Sequence, residues 1–247
     1  MQKEWNKRTE TLLGKARLDE LASCHVLVVG IGGVGAYAAE QIVRAGIGEI
    51  TIVDADVIAE GNINRQLLAL HSTLKQNKVD VMGRRLLDIN PELILHTRQT
   101  FIIGESIEHL LDTSHFDYVI DAIDSLSSKV QLLYNTIQRE LPLISSMGAG
   151  AKKDPSKIEV TNLYKTYNCP LARFVRKRLR HRGLQKDFPV VFSSELPDPN
   201  AIIFITGEMG NRTTTGTISY MPALFGCRLA AHVILNIKKN SNEKENN

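Results

Sequence analysis

The chain has 247 residues, 43% of them hydrophobic, and a formal net charge of +3, which suits one large α/β domain with a substantial core. So small a positive balance does not by itself indicate nucleic-acid binding. The three cysteines lie far apart without a C-x-x-C pair, which argues against a structural zinc site or a disulfide framework and favours free thiols in a reducing cytoplasm.

Five apolar runs of strand length alternate with segments of helical pattern through the first 150 residues. The runs are HVLVVG, EITIVD, LILHTR, DYVIDA and PLISS. This alternation predicts a doubly wound α/β fold with a mainly parallel sheet and helices on both faces. Beyond residue 150 the pattern changes to the shorter runs KIEVTNL, FPVVFSS and AIIFITG, which we expect to extend or cap the same sheet.

A glycine-rich turn follows the first apolar run. In VLVVGIGGVG the glycines lie at Gly30, Gly32, Gly33 and Gly35, and the helical pattern VGAYAAEQIVRAG begins within the turn. Glycines let backbone N–H groups approach a phosphate with no Cβ in the way, and the helix N-terminus favours an anion. Asp54, at the carboxyl end of the second run, is placed to accept hydrogen bonds from ribose hydroxyls. These features fit NAD and ATP equally well.

Cationic and amide side chains directly after the second run favour ATP over NAD. Arg65 is suited to bidentate contact with phosphate oxygens, and Lys78 supplies a point charge. Asn62 and Gln66 add neutral donors and acceptors to the same segment, and Asp56 belongs to the same candidate nucleotide site. The chain has no G-x-x-x-x-G-K-[ST] motif, so a Walker-type NTPase is not expected.

Two acids follow the fourth apolar run, at Asp121 and Asp124. Carboxylates just beyond the carboxyl end of a parallel strand lie at the crevice where ligands bind. We expect Asp124 to hold Mg²⁺ or to cap the next helix, roles that do not exclude each other, and Asp121 to be structural.

The string GIGGVG … VDAD … NINRQ … NKVD … IDAIDS resembles the adenylate-forming superfamily that includes ubiquitin-activating enzymes and the molybdopterin and thiamine adenylyltransferases. Within it the chain is most similar to the tRNA threonylcarbamoyladenosine dehydratases, through INPE, KIEVTNLYKT … PLA and VVFSSE. The resemblance implies ATP-dependent cyclisation of N6-threonylcarbamoyladenosine in tRNA through an acyl-adenylate. It also implies a homodimer in which Arg8 reaches into the partner's ATP site.

The resemblance assigns roles to the candidate residues. Gly33 would contact the nucleotide and Asp54 the ribose, Lys78 would reach the phosphate under attack, and Asp124 would hold Mg²⁺. The residues that would line the phosphates are Asn62, Arg65 and Gln66. The expected catalytic set is Arg8, Arg65, Lys78 and Asp124.

The resemblance also implies a domain organisation for the chain. Residues 1–237 would form one adenylate-forming domain, with a Rossmann-like ATP-binding half at about 20–150 and a sheet-extending half at about 151–237 that contacts tRNA. Residues 238–247 are charged and are expected to be a disordered tail. The apolar stretch MPALFGCRLAAHVILNI is too short for a membrane span, and the polar N-terminus has no secretory signal, so a cytoplasmic protein is expected.

The segment ARFVRKRLRHRGLQK carries cations of a single sign and is the expected tRNA-binding helix. The expected tRNA-binding residues are Arg173, Arg176, Lys177, Arg178, Arg180 and Arg182. Phe174, Val175 and Leu179 would form an apolar stripe that packs against the domain.

Several alternatives remain open on the sequence. One is an adenylyltransferase that activates the Gly-Gly terminus of a ubiquitin-like sulfur carrier. The absence of zinc cysteines and the presence of the basic helix count against it. An NAD-dependent oxidoreductase does not explain Arg65, Lys78 and Asp124, and a catalytically silent binding protein is a third possibility. A sulfur-transfer partner, a catalytic role for Cys169 and the exact cyclic product are also left open.

Overall fold

The computed structural model describes residues 4–205 and 212–239, and within these ranges the chain forms eight α-helices and nine strands. The helices are α1 (Lys7–Leu13), α2 (Lys15–Ser23), α3 (Gly35–Arg44), α4 (Lys78–Ile89), α5 (Glu105–Asp112), α6 (Leu126–Gln138), α7 (Pro170–His181) and α8 (Tyr220–Asn236). The strands are β1 (His25–Val29), β2 (Glu49–Val53), β3 (Ile94–Arg98), β4 (Tyr118–Asp121), β5 (Leu143–Ser146), β6 (Ile158–Asn162), β7 (Pro189–Ser193), β8 (Ile202–Ile205) and β9 (Arg212–Thr215).

Seven strands form one sheet in the order β3-β2-β1-β4-β5-β7-β6. Every neighbouring pair is parallel except β6 and β7, which are antiparallel. The doubly wound, mainly parallel sheet predicted from the sequence is therefore confirmed, and β7 and β6 extend it. The third C-terminal run does not join this sheet, because β8 pairs with β9 in a separate two-stranded sheet.

Alternate side chains of the central strands point into two hydrophobic cores, one on each face of the sheet. Val26 and Val28 of β1 face the core built with α3, α4 and α8. Leu27 and Val29 of the same strand face the core built with α5, α6 and α7. A parallel strand buried on both faces has no polar side, which is why these runs are continuously apolar.

The terminal helix α8 packs closely on α3. A Cβ added at Gly226 would lie 2.4 Å from the Val34 carbonyl oxygen, so only glycine permits this approach of the two helices. Within the described ranges no helix combines the length and apolarity needed to cross a membrane. Lys239 lies 3.3 Å from Asp117, and the remainder of the expected tail, 240–247, lies outside the described residues.

Candidate nucleotide site

The glycine turn after β1 is pressed against the end of β4. Gly30 has φ +90°, and a Cβ there would lie 2.7 Å from the Ala122 carbonyl oxygen. A Cβ at Gly35, the first residue of α3, would lie 1.7 Å from the Gly30 oxygen. Packing within the protein therefore excludes a side chain at both positions.

Gly32 differs from these two glycines, because the protein leaves room for a side chain there. The nearest atom to its added Cβ would be Gln66 Nε2 at 3.7 Å, an ordinary van der Waals distance. Gly33 is tighter, with the Pro222 Cβ at 3.2 Å and the Arg65 carbonyl oxygen at 3.4 Å. Open backbone at Gly32, beside the N-terminus of α3, is the arrangement that lets amide groups approach a phosphate.

Asp54 follows β2 and orders the turn. One carboxylate oxygen accepts from the Ile31 amide at 2.6 Å and the other from the Asp56 amide at 2.9 Å. Burial raises the pKa of Asp54, while the Lys78 charge and the two backbone N–H groups oppose that rise. Because a carboxylate offers about four acceptor positions, two remain for donors such as ribose hydroxyls.

Lys78 is the first residue of α4, and its buried ammonium group lies close to Asp54 and Asp56. Its Nζ lies 2.7 Å from Asp56 Oδ2 and 3.9 Å from Asp54 Oδ1, and only 6% of its side chain is exposed. Asp56, in contrast, is 69% exposed. The lysine is thus fixed inside the site, whereas its main partner lies in solvent, where water competes for the pair.

The segment after β2 covers the glycine turn. Asn62 Oδ1 accepts from the Ala59 amide, and Arg65 Nη1 donates to the Gly61 carbonyl and to Asn64 Oδ1, both at 2.8 Å. Gln66 Oε1 is buried and has no hydrogen-bond partner among the described residues. The other polar atom of the same amide, Gln66 Nε2, is the atom nearest to the open backbone of Gly32, where it is a donor suited to a phosphate oxygen.

Beyond β4, the two acids have different surroundings. Asp121 is buried, 2.6 Å from Lys129 Nζ, and it also accepts from Ser145 Oγ at 2.6 Å. This is the structural role predicted for Asp121, although its partner Lys129 was not identified from the sequence. Asp124 is exposed one residue before Ser125, the N-cap of α6, and Ser125 makes no side-chain capping hydrogen bond.

Arg8 lies apart from this group, exposed in the first turn of α1. The structure therefore brings together Asp54, Asp56 and Lys78, and packs Arg65 and Gln66 against the glycine turn. It leaves Arg8 on the surface. Cys169, the remaining candidate for chemistry, is buried at the N-cap of α7.

Helix α7 presents four of the six predicted cations at an open depression of about 520 Å³, which is lined by Arg173, Arg176, Lys177, Arg180 and His181. The other two, Arg178 and Arg182, do not line it, and Arg178 donates to Ser127 Oγ at 3.0 Å. Three guanidinium groups are stacked on aromatic rings: Arg173 over Phe174 at 5.1 Å, Arg180 over Tyr164 at 4.9 Å and Arg182 over Tyr134 at 5.4 Å. Such stacking holds an arginine in place while leaving its N–H edge available. Helix α7 thus offers positioned cations suited to an anionic ligand.

Two details of α7 differ from the sequence-based expectation. The buried stripe consists of Ala172, Val175 and Leu179, and the prediction of Phe174 in that stripe was wrong because its side chain is 44% exposed. Arg176 is partly buried and donates to the carbonyl oxygens of Leu163 and Thr166 at 3.2 and 3.1 Å. It therefore caps the turn that precedes α7 as well as lining the depression.

These features define a nucleotide-binding α/β protein of the doubly wound class. They are the parallel sheet, the glycine turn between β1 and α3, the acid after β2 and the buried lysine beside that acid. The ThiF family model matches residues 6–247. The chain is 38% identical to the tRNA threonylcarbamoyladenosine dehydratase of Bacillus subtilis over 94% of each chain.

Two solved structures agree with this sequence match. The Escherichia coli tRNA N6-threonylcarbamoyladenosine dehydratase in complex with ATP superposes with a TM-score of 0.85 and 34% identity, covering 95% of both chains. The same enzyme in complex with AMP gives a TM-score of 0.84. This chain belongs to the ThiF family, and within it to the tRNA threonylcarbamoyladenosine dehydratases.

Proposed function

We propose that this protein uses ATP to dehydrate N6-threonylcarbamoyladenosine in tRNA to its cyclic form, through an acyl-adenylate. The observation that carries the proposal is the grouping of Asp54 and Lys78 beside the open backbone of Gly32, in a chain similar over nearly its whole length to named dehydratases. The solved relative with ATP and the one with AMP support adenylate chemistry for the same fold.

The residues of the site fit a nucleotide. Gly32 leaves open backbone for phosphate oxygens, and Gln66 Nε2 beside it is a donor suited to the same oxygens. Asp54 retains acceptor capacity for the ribose, in line with its predicted role. Gly33, Asn62 and Arg65 lie around the same turn and would line the phosphates.

The chemical problem is that a carboxylate is a poor electrophile. Attack of its oxygen on the α-phosphorus of ATP breaks the bond to pyrophosphate and forms a mixed anhydride with AMP. Negative charge builds on phosphate oxygens in that step, and preorganised cations stabilise it more than they stabilise the ground state. Lys78 and Arg65 supply those charges from this subunit.

We expect the ammonium group of Lys78 to exchange its contact with Asp56 for a contact with a phosphate oxygen. In the structure its Nζ pairs with Asp56, whose carboxylate is exposed and readily hydrated. A phosphate oxygen bound at Gly32 would compete for the same ammonium group. Asp124, exposed at the same edge of the sheet, is the residue we assign to Mg²⁺; the ion, when bound, neutralises phosphate charge and is typically held by one or two carboxylates together with substrate oxygens.

Ring closure then needs no enzyme nucleophile. The carbamoyl group of the same nucleoside attacks the activated carbonyl carbon and releases a proton, and AMP leaves with the carboxyl oxygen, so the net change is the loss of one water. The reaction is intramolecular, and holding the substrate in a reactive conformation supplies much of the rate. Cys169 accordingly has no covalent step in this scheme.

The surface of α7 is the proposed tRNA contact. Its single-sign cations suit the phosphate backbone, which positions a nucleic acid without reading its bases. We also propose a cytoplasmic homodimer in which Arg8, exposed on α1, completes the partner's ATP site. A sulfur-transfer partner has no step here, because the reaction moves no sulfur atom.

The direct test is mass spectrometry of nucleosides from tRNA bearing threonylcarbamoyladenosine, incubated with the protein, ATP and Mg²⁺ and digested mildly so that a labile ring survives. We expect the modified nucleoside to lose one water only when ATP is present. Lys78→Ala should abolish this loss, whereas Lys75→Ala, a change at an exposed lysine three residues away, should not.

The contrary result is equally well defined. An unchanged nucleoside, together with ATP–pyrophosphate exchange that appears only on addition of a Gly-Gly-ended carrier protein, would make the protein a sulfur-carrier adenylyltransferase. Full activity of the Lys78→Ala protein would overturn the site assignment and leave the reaction in place.

A further inference from the structure

A second group of polar side chains lies at the opposite end of the sheet, where β1 and β2 begin. His25 is the first residue of β1 and pairs directly with Glu49, the first residue of β2. His96 of β3 pairs with Thr51, two residues beyond Glu49. Because side chains two residues apart share a face of a strand, His25, Glu49 and His96 project from the same face of three adjacent strands.

The spacing of these side chains suits a metal ion. His25 Nδ1 lies 3.3 Å and His96 Nε2 lies 2.9 Å from the same oxygen, Glu49 Oε1. One ligand atom from each of the three residues lies within 4.8 Å of the others. Ligands bound at about 2.0–2.2 Å to a tetrahedral ion are roughly 3.3 Å apart, so small side-chain rotations would complete the arrangement.

The buried ligand is already oriented by its surroundings. His25 Nε2 lies 2.8 Å from Thr51 Oγ1, and the imidazole packs against the Phe116 ring at 4.7 Å between centroids. A hydrogen bond at the second ring nitrogen, which fixes the ring and its tautomer, is the usual support for a metal-bound histidine. Thr51 is itself buried, so this contact is protected from water.

The other two ligands face outward. Glu49 is 32% and His96 is 42% exposed, which gives an ion an entry path and leaves a fourth position for water. Two imidazoles with one carboxylate suit Zn²⁺ and related transition ions, whereas Mg²⁺ prefers oxygen ligands alone. We propose that His25, Glu49 and His96 form a binding site for one divalent transition metal ion, with Zn²⁺ as the reference ion.

The site is separate from the nucleotide. Asp54 is five residues beyond Glu49 along the extended chain of β2, which places the two residues about 16 Å apart. An ion at His25, Glu49 and His96 would tie together the three strands at one side of the sheet. Its expected effect is therefore on the stability of the fold, and it does not depend on the proposed reaction.

The test uses the untagged full chain, stripped of metal and dialysed against Zn²⁺, with bound metal measured by mass spectrometry. Co²⁺ absorption serves as a second readout of histidine and carboxylate ligation. We expect one Zn²⁺ in the unchanged protein and a raised thermal midpoint. Both effects should be lost in His96→Ala and in Glu49→Gln, and retained in His109→Ala, a change at an exposed histidine of α5.

Thr51→Val provides a graded control, because it removes only the hydrogen bond to the His25 ring. Loss of such support weakens metal binding by about 10- to 100-fold. Far-UV circular dichroism of the metal-free proteins checks that the variants fold. The proposal is overturned if the unchanged protein binds no more Zn²⁺ than His96→Ala and Glu49→Gln do, since the cluster would then be held by hydrogen bonds alone.

Discussion

At the residue scale, the four glycines of the turn have different physical reasons to be glycine. Gly30 and Gly35 must be glycine, because a Cβ added at either position would lie less than 3 Å from a backbone atom. Gly32 has space inside the protein, so its missing side chain is explained by what approaches from outside. These positions are equivalent in the sequence pattern, and only the three-dimensional structure distinguishes them.

This contrast predicts opposite behaviour for two substitutions that each add one methyl group. Gly35→Ala should lower the free energy of unfolding by about 3 kcal/mol, because the Gly30 carbonyl must move to make room. Gly32→Ala should unfold at nearly the same urea concentration as the unchanged protein but bind ATP at least about tenfold more weakly. Urea denaturation and calorimetric ATP titration measure the two effects. A Gly32→Ala protein with normal ATP affinity would contradict the assigned phosphate position.

At the scale of elements, α7 joins an apolar face to a fixed set of cations. The charge-reversing pair Lys177→Glu and Arg180→Glu should weaken tRNA binding and reduce its dependence on salt, because fewer counterions are released. ATP binding should not change. Filter binding at several salt concentrations measures the slope, and Arg84→Glu on α4 provides a control with a reversed charge on another helix. An equal loss of tRNA affinity in that control would show that binding depends on the net charge of the protein and does not depend on the cations of α7 in particular.

A second pair of elements, α3 and α4, is linked by one buried acid, Glu40. Burial raises the pKa of Glu40, but hydrogen bonds from Arg85 and Arg44 outweigh it and hold the pKa below the ordinary value of 4.5. The ionised group therefore stabilises the folded state fully above about pH 4.5, and this contribution is lost as the pH falls through the lowered pKa.

Glu40→Gln should accordingly lower the free energy of unfolding at pH 7 by about 1 kcal/mol, a modest value because both arginines are roughly half exposed. The difference should shrink as the pH is lowered below 4.5, since the glutamate then becomes neutral as well. Urea unfolding of both proteins across this range is the measurement. Glu159→Gln, at an exposed position of the edge strand β6, is the control and should show little change at any pH.

At the scale of the whole molecule, the proposed dimer makes a prediction about mixed subunits. Arg8→Ala and Lys78→Ala should each be inactive alone, because every site would lack one of the cations that the reaction requires. In a mixed dimer, one site combines the intact Lys78 of one subunit with the intact Arg8 of the other. Equal mixing with subunit exchange should restore roughly a quarter of the sites. If no activity returns although exchange is demonstrated, Arg8 does not act across the interface.

Local spacing was sufficient to predict the parallel sheet, the glycine turn and the acid and lysine that follow β2. These features depend on residues close together in the chain. The group of His25, Glu49 and His96 depends on strand order, since it joins strands distant in sequence. The Asp121–Lys129 pair is only eight residues apart and depends instead on how α6 packs against the end of β4. The separate pairing of β8 with β9 and the exposure of Phe174 were missed because an apolar pattern does not specify which neighbouring element a residue packs against.

The buried pair of Asp121 and Lys129 has a consequence for ligand binding. Lys129 Nζ also donates to Ser145 Oγ and to the Ser146 carbonyl, so the start of α6 is tied to the ends of β4 and β5. The loop that carries Asp124 is therefore anchored at both of its ends. The loop is therefore ordered when the protein folds. Ligand binding does not have to offset the conformational entropy cost of ordering it.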